Sequence, residues 1–282
     1  MPTSCYISIF NQPNMQKIVL PVLALAMVVA CTTNKITGKK QLNLISSEQM
    51  LNLGETQYRQ VLSSSKVLSN TADSRKVVDI GQRIAGAVNR YYSGQGLQQE
   101  LAGYKWEYNL IDSKEVNAWC MPGGKIAVYT GLLPVTQNDA ALAVVMGHEV
   151  AHALAEHGKD RIHQQLGASA LAMGLQVAVA NKPQETQLAY LAAFGAASQL
   201  GVILPFSRRQ ELEADALGLK YAALAGYDPR EAIGLWKRMG ALGGGSKPPE
   251  FASTHPAEAT RIAELEKLMP EAVKLYEANR RR

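Results

Sequence analysis

The sequence predicts a mainly α, α+β fold in which one buried helix carries an H-E-x-x-H motif and the edge strand of a small β-sheet faces the cleft beside it. Three observations carry this. The run "ALAVVMGHEVAHALA" (141–155) is apolar on nearly every side, the composition of a helix enclosed by its own protein. Two long stretches, 47–64 and 72–92, have helical periodicity, whereas "KWEYNLID" and "KIAVYTGLL" alternate as strands do. With 47% hydrophobic and 19% charged residues, 282 positions suffice for one sizeable core and hardly for two.

In chain order, "MQKIVLPVLALAMVVAC" (15–31) has one basic residue, an apolar run and a small residue before Cys31, the order of a secretory signal. Ile18–Ala30 supplies thirteen residues, where a membrane anchor needs about twenty. Residues 1–30 are therefore expected to be a signal peptide, translated from Met15, with 31–46 a tether and 47–282 a single domain. The second helix closes at "YYSGQG". A Pro-Gly-Gly turn precedes the second strand, which is expected to present a free edge where extended peptides dock through backbone hydrogen bonds with loose selectivity. Beyond the buried helix, 162–181 and 186–206 contain no charged residue, and "NKPQETQ" between them reads as a turn. Their Ala, Gly, Ser and Gln content is weakly apolar for hydrocarbon. A helical hairpin buried against the H-E-x-x-H helix is expected instead. "GGGSKPPE" (243–250) reads as a flexible connection, a plain loop or a lid. The formal charge of +5 is modest, and "ANRRR" reads as a solvated tail that excludes nucleic acid as a partner.

The chemistry centres on "MGHEVAHALAEH" (146–157). Residues four apart on a helix share a face, so His148 and His152 can reach one ion. Zinc suits neutral imidazole, and a catalytic zinc keeps a position open for water. Glu149, offset from both histidines, is placed to take a proton from that water without ligating. Burying such groups unpaired would cost several kcal/mol, which argues against a chance motif. His157 is about 140° round a continuing helix from His152 and is expected, with His163, to belong to a polar helix end. Downstream, "SRRQELEADALGLKYA" (207–222) places Glu211 and Asp215 on one helical face. One of the two can ligate while the other holds a ligand histidine through its free ring nitrogen. Glu213 is about 200° from Glu211 and is expected to be a solvated surface charge. Cys120 is expected to be a small buried hydrophobe, with no disulfide partner in a chain cut at Cys31.

These residues, with "TGKKQLNLISSEQMLNLG", "VNAWCMPGGKIAVYTGLL", "AGYDP" and "STHPAEATRI" in the same order, resemble the zincin-like zinc metallopeptidases of metallopeptidase family 48. That family includes HtpX-like, Oma-like and CAAX prenyl endopeptidase-like enzymes, and the likeness is to its bacterial periplasmic lipoprotein branch. The resemblance implies one Zn2+ held by His148, His152 and Glu211, with Glu149 as catalytic base and Asp215 as the carboxylate behind a ligand. It also implies Asn117 near the substrate and His255 as a second catalytic residue stabilising the oxyanion. Lipidation of Cys31, in V-V-A-C, and Thr32 after it imply a membrane anchor on the periplasmic side of the bacterial outer membrane. The implied work is cleavage of misfolded or damaged cell-envelope proteins. Two other functions compete: a chaperone-like or binding lipoprotein with a mainly structural zinc, and a protease whose own loop covers the zinc at rest.

Overall fold

The computed structural model describes residues 31–243, 249–256 and 259–280. The signal-peptide reading of 1–30 and most of the glycine-rich connection lie outside the described residues. Residues 31–46, expected as a tether, are laid on the domain: β1 (Cys31–Thr33) and β2 (Lys40–Leu42) pair antiparallel. Asn34 donates to the Leu154 carbonyl at 3.1 Å and Gln41 to that of Ala155 at 2.7 Å. Ser46 and Thr71 then start α1 (Ser47–Ser64) and α2 (Ala72–Ser93) with capping boxes. Each cap oxygen accepts from the backbone N–H three residues on, and that residue's side chain accepts from the cap's own N–H.

Four strands follow in the spatial order β3 (Val67–Leu68), β4 (Glu107–Ile111), β6 (Lys125–Tyr129), β5 (Ala118–Met121). β6 runs parallel to β4 and antiparallel to β5, with Ala118 opposite Val128 and Met121 opposite Lys125. The expected free edge on "KIAVY" is therefore corrected: that strand is interior, and the edge is β5. The reason is the turn after Pro122, where Gly123 and Gly124 have φ of +87° and +80°, a conformation that suits glycine and folds Ala118–Met121 back along β6.

Asn138 caps α3 (Asp139–Leu154) by accepting from Ala141 N at 2.8 Å, and every residue from Ala141 to Leu154 is buried. The helix is enclosed by α2, β5, α6 (Leu204–Leu224) and α7 (Glu231–Gly243). Its crossing with α6 is glycine on glycine. A Cβ on Gly147 would stand 2.7 Å from the Gly218 carbonyl oxygen, and one on Gly218 would stand 2.6 Å from the backbone N of His148. Two more helices follow, the short α8 (Glu250–Thr254) and the 21-residue α9 (Ala259–Asn279), which lies against α6.

Between α3 and α6 come α4 (His157–Ala178), α5 (Gln184–Ser198) and a π turn, Gln199–Ile203. The hairpin expected to be buried against α3 is not. α5 has no buried residue, and α4 buries only His157, Lys159 and His163 at its root. The cause is that α3 is already enclosed, while the apolar side chains of the arms are spread round both helices and offer no single stripe to dock.

Gly218→Ala forces two backbones apart at this crossing. It is expected to destabilise the fold by about 1–3 kcal/mol, the usual effect of overpacking, in chemical denaturation; an unchanged midpoint would show that the crossing has slack.

Candidate metal centre

The close crossing of α3 and α6 brings together side chains that sequence separates by some sixty positions. His148 and His152, one turn apart on α3, point their Nε2 atoms at a common centre 3.1 Å apart. From α6, Glu211 places Oε2 3.3 Å from His148 Nε2 and Oε1 3.4 Å from His152 Nε2. Two imidazole nitrogens and a carboxylate within about 3.5 Å of one another are the donor set and the closeness that zinc takes. A fourth donor joins them: His255, at the end of α8, sets Nδ1 2.9 Å from Glu211 Oε2 and 3.3 Å from His148 Nε2. All four residues are buried, with their ligand atoms within 4.8 Å of one another. His255 thus stands among the prospective ligands, where the sequence reading had it facing the substrate.

Charge makes the same case. Glu149, Glu211 and Asp215 are buried carboxylates, and Arg261 is the buried guanidinium among them. With the carboxylates ionised, the cluster lacks two positive charges, which a dication supplies while leaving the histidines neutral to ligate. Burial pulls His148 down, yet Asp215 and Glu211 outweigh it and lift its imidazole to about 9. Burial dominates at His152 and holds it well below the ordinary histidine range. Burial also raises the Glu149 carboxyl, opposed by His255 and His148. Glu211 is pushed up by burial but held far below the usual carboxylate range by its three histidine neighbours.

Asp215 stands behind His148, its Oδ1 3.1 Å from His148 Nδ1. Arg261 fixes it in turn, donating from Nε and Nη2 at 2.6 Å each, and its guanidinium lies 3.9 Å over the Trp236 ring. Sequence reasoning missed Arg261. Its signal was a basic residue in "STHPAEATRI", close to a site rich in acid.

Two expectations are corrected. His157 faces His152, Nδ1 to Nδ1 at 2.8 Å, and its Nε2 lies 3.0 Å from Glu213 Oε2. Glu213 is no solvated surface charge: it is half-buried and also pairs with Lys39 at 2.8 Å. The rotation that would have turned His157 away assumed an unbroken helix. Instead α3 ends at Leu154, Glu156 takes the left-handed conformation at φ +56°, and α4 starts afresh at His157. His163 does stay out of the centre, and its Nε2 accepts from Ile45 N at 3.3 Å.

A cleft of about 620 Å³ opens onto Glu149, His152 and His255, with Asn117 and the β5 edge along one wall. Asn117 is buried beside that edge. Phe251 N donates to the Val116 carbonyl at 3.3 Å, so α8 is tied to the chain just before β5 and carries His255 across the centre. Glu149 Oε1 makes no hydrogen bond, and His255 Nε2 stands 3.7 Å from it. Cys120, on β5, is half-buried, and desolvation pushes its thiol well above the ordinary range. Cys31 is exposed.

The sequence profile of peptidase family M48 matches residues 79–269. Among curated proteins, the mitochondrial metalloendopeptidase OMA1 of Schizosaccharomyces pombe is 37% identical over 173 residues, covering 61% of this chain and 49% of that protein. The mitochondrial metalloendopeptidase OMA1 of Homo sapiens is 29% identical over 86% of this chain and 46% of its own length. The beta-barrel assembly-enhancing protease of Escherichia coli K12 is 25% identical over 78% and 44%. The chain thus spans about half the length, or less, of the relatives it matches.

His157→Ala removes the partner behind His152. Its zinc affinity, read by chelator competition, is expected to fall about 10–100-fold, as when other ligand-supporting groups are lost. Unchanged affinity would make the His152–His157 contact incidental.

Proposed function

The chain belongs to peptidase family M48, and from that premise we propose that it is a zinc-dependent endopeptidase acting on unfolded cell-envelope proteins. The observation that carries the reading is the placing of Glu149, buried and with a carboxylate oxygen that makes no hydrogen bond, beside four converging donors at the floor of a cleft walled by the edge strand β5. When bound by His148, His152 and Glu211, zinc supplies a Lewis acid for the substrate carbonyl and lowers the pKa of water.

The residues do the rest. The outer edge of β5 can pair with an extended substrate through backbone hydrogen bonds, which orients the scissile bond across Glu149 and selects little by sequence. Glu149 takes a proton from water as its oxygen bonds to the carbonyl carbon. As the C–N bond breaks, Glu149 returns that proton to the leaving nitrogen. Burial raises its carboxyl above the ordinary range, the direction that makes it a stronger base. Asp215, locked by Arg261, keeps His148 turned toward the centre. A mainly structural zinc gives no role to a buried carboxylate poised beside its ligands, which weighs against the chaperone-like alternative.

The position of His255 supports a further element of this reading, a closed resting state. A catalytic zinc needs an open position, and His255 Nδ1 stands as a fourth donor beside Glu211 and His148. Water and substrate then require α8 to withdraw, after which His255 becomes available to donate to the developing oxyanion. Location is proposed from sequence: the signal-like stretch 15–31 and Cys31 support a lipid anchor on the periplasmic side of the outer membrane. The E. coli relative, by its name a protease that enhances β-barrel assembly, fits envelope clients.

Glu149→Gln is expected to keep stoichiometric zinc, by metal analysis, and to lose at least about 100-fold in casein cleavage; cleavage at the unmodified rate would remove Glu149 from the mechanism. His255→Ala separates the two roles of that residue. A rise in turnover marks a closed resting state, whereas a loss of about 100–1,000-fold in kcat marks an oxyanion donor.

A further inference from the structure

We propose that the α4–α5 hairpin is a membrane-insertion element whose partner is the hydrocarbon of a phospholipid bilayer. The inference holds whether or not the chain cleaves peptides. Of the thirteen large apolar residues exposed among the described residues, nine lie between 166 and 204. Val177 is 77% exposed, Leu200 69%, Leu171 65% and Met173 61%. A soluble domain rarely leaves so large a contiguous apolar surface uncovered.

Length and charge identify what covers it. Residues 162–181 and 186–206 contain no Asp, Glu, Lys or Arg, and about 20 helical residues span roughly 30 Å, the thickness of bilayer hydrocarbon. Charges bracket both arms at the same levels: Arg161 before the first and Arg208 and Arg209 after the second, with Lys182 and Glu185 at the tip. The continuous helix Gln184–Leu224 is by length and composition able to cross a membrane, and its apolar window is wholly unburied. Its apolar side chains encircle the rod, which is the pattern of immersion and not of docking on one protein face. Small residues, among them Ala168, Ala172 and Gly195, line the groove between the arms. Helices packed within lipid use such residues at their interfaces.

A separate observation places the N-terminal segment at the same level. Lys39 pairs with Glu213, Gln41 donates to Asp160 at 3.2 Å, and Ile45 N donates to His163, so the stretch after Cys31 is bound to the hairpin root. Cys31 itself is paired opposite Leu42 in that stretch. One bilayer surface can therefore receive both. This corrects the expectation that weakly apolar arms belong inside the protein. Alanine and glycine lower their average hydrophobicity, but among the described residues none outside the hairpin buries them.

The test is hydrogen exchange on the full chain with and without vesicles of phosphatidylethanolamine and phosphatidylglycerol. Peptides from 166–178 and 188–204 are expected to exchange at least tenfold more slowly with vesicles, while β4 to β6 stay unchanged. Val177→Lys combined with Leu200→Lys, both at exposed positions, is expected to abolish that slowing without altering exchange in the domain. Exchange that is equally fast with and without vesicles overturns the proposal. So does slow exchange in buffer alone: if it depends on protein concentration, a second copy covers the arms, and if not, the chain covers them itself. Protection that survives the double lysine variant also rejects insertion of the arms.

Discussion

The contact between Gly147 and Gly218 is the constraint on which the rest of the molecule depends. Only two residues without side chains let α3 and α6 approach until backbone meets backbone. At any ordinary helix separation of 8–10 Å, a glutamate on α6 and two histidines on α3 would still face one another, but at a looser spacing. The close crossing turns a four-residue helical period on each helix into one cluster of donors. The capped start of α3, the sheet against it and α9 outside α6 all serve to hold that crossing in register.

Bringing these groups out of water has an electrostatic cost that the surroundings offset in layers. Each ligand histidine rests on a partner: His148 on Asp215, and His152 on His157. Those partners are themselves held, Asp215 by Arg261 over Trp236, and His157 by Glu213 with Lys39. A neutral imidazole that must keep one nitrogen toward the centre is thereby fixed in ring orientation. The outermost member, Lys39, belongs to the segment just after Cys31, so the first described residues of the chain take part in ordering the centre.

Local periodicity made much of this legible. The three helices at 47–64, 72–93 and 139–154 stand where their apolar spacing and caps put them, and H-E-x-x-H and E-x-x-A-D needed only the four-residue repeat. What escaped were features fixed by a break or by a distant partner. A single left-handed residue, Glu156, re-aimed His157, and nothing in "AEHG" announces it. Arg261 became intelligible only once Asp215 was buried opposite it. The pairing of Ala118–Met121 outside β6 depended on two glycines in the left-handed region, which a reading of alternation alone assigns to either strand. The exposure of the hairpin is a property of what α3 already touches, and so cannot be read from the arms themselves.

The uninterrupted helix from Gln184 to Leu224 has a mechanical meaning. It is clamped at Gly218, with Glu211 about 10 Å from the clamp and the hairpin tip about 50 Å away, taking 1.5 Å per residue. A rod held in this way is a lever with a ratio of about five, softened by the π turn at Gln199–Ile203 and by Pro205 just after it, irregularities that interrupt helix stiffness. Sideways travel of about 5 Å at the tip corresponds to about 1 Å at the carboxylate of Glu211, a displacement large enough to change a reaction rate about a hundredfold. A displacement at the tip would thereby reach the metal centre reduced about fivefold.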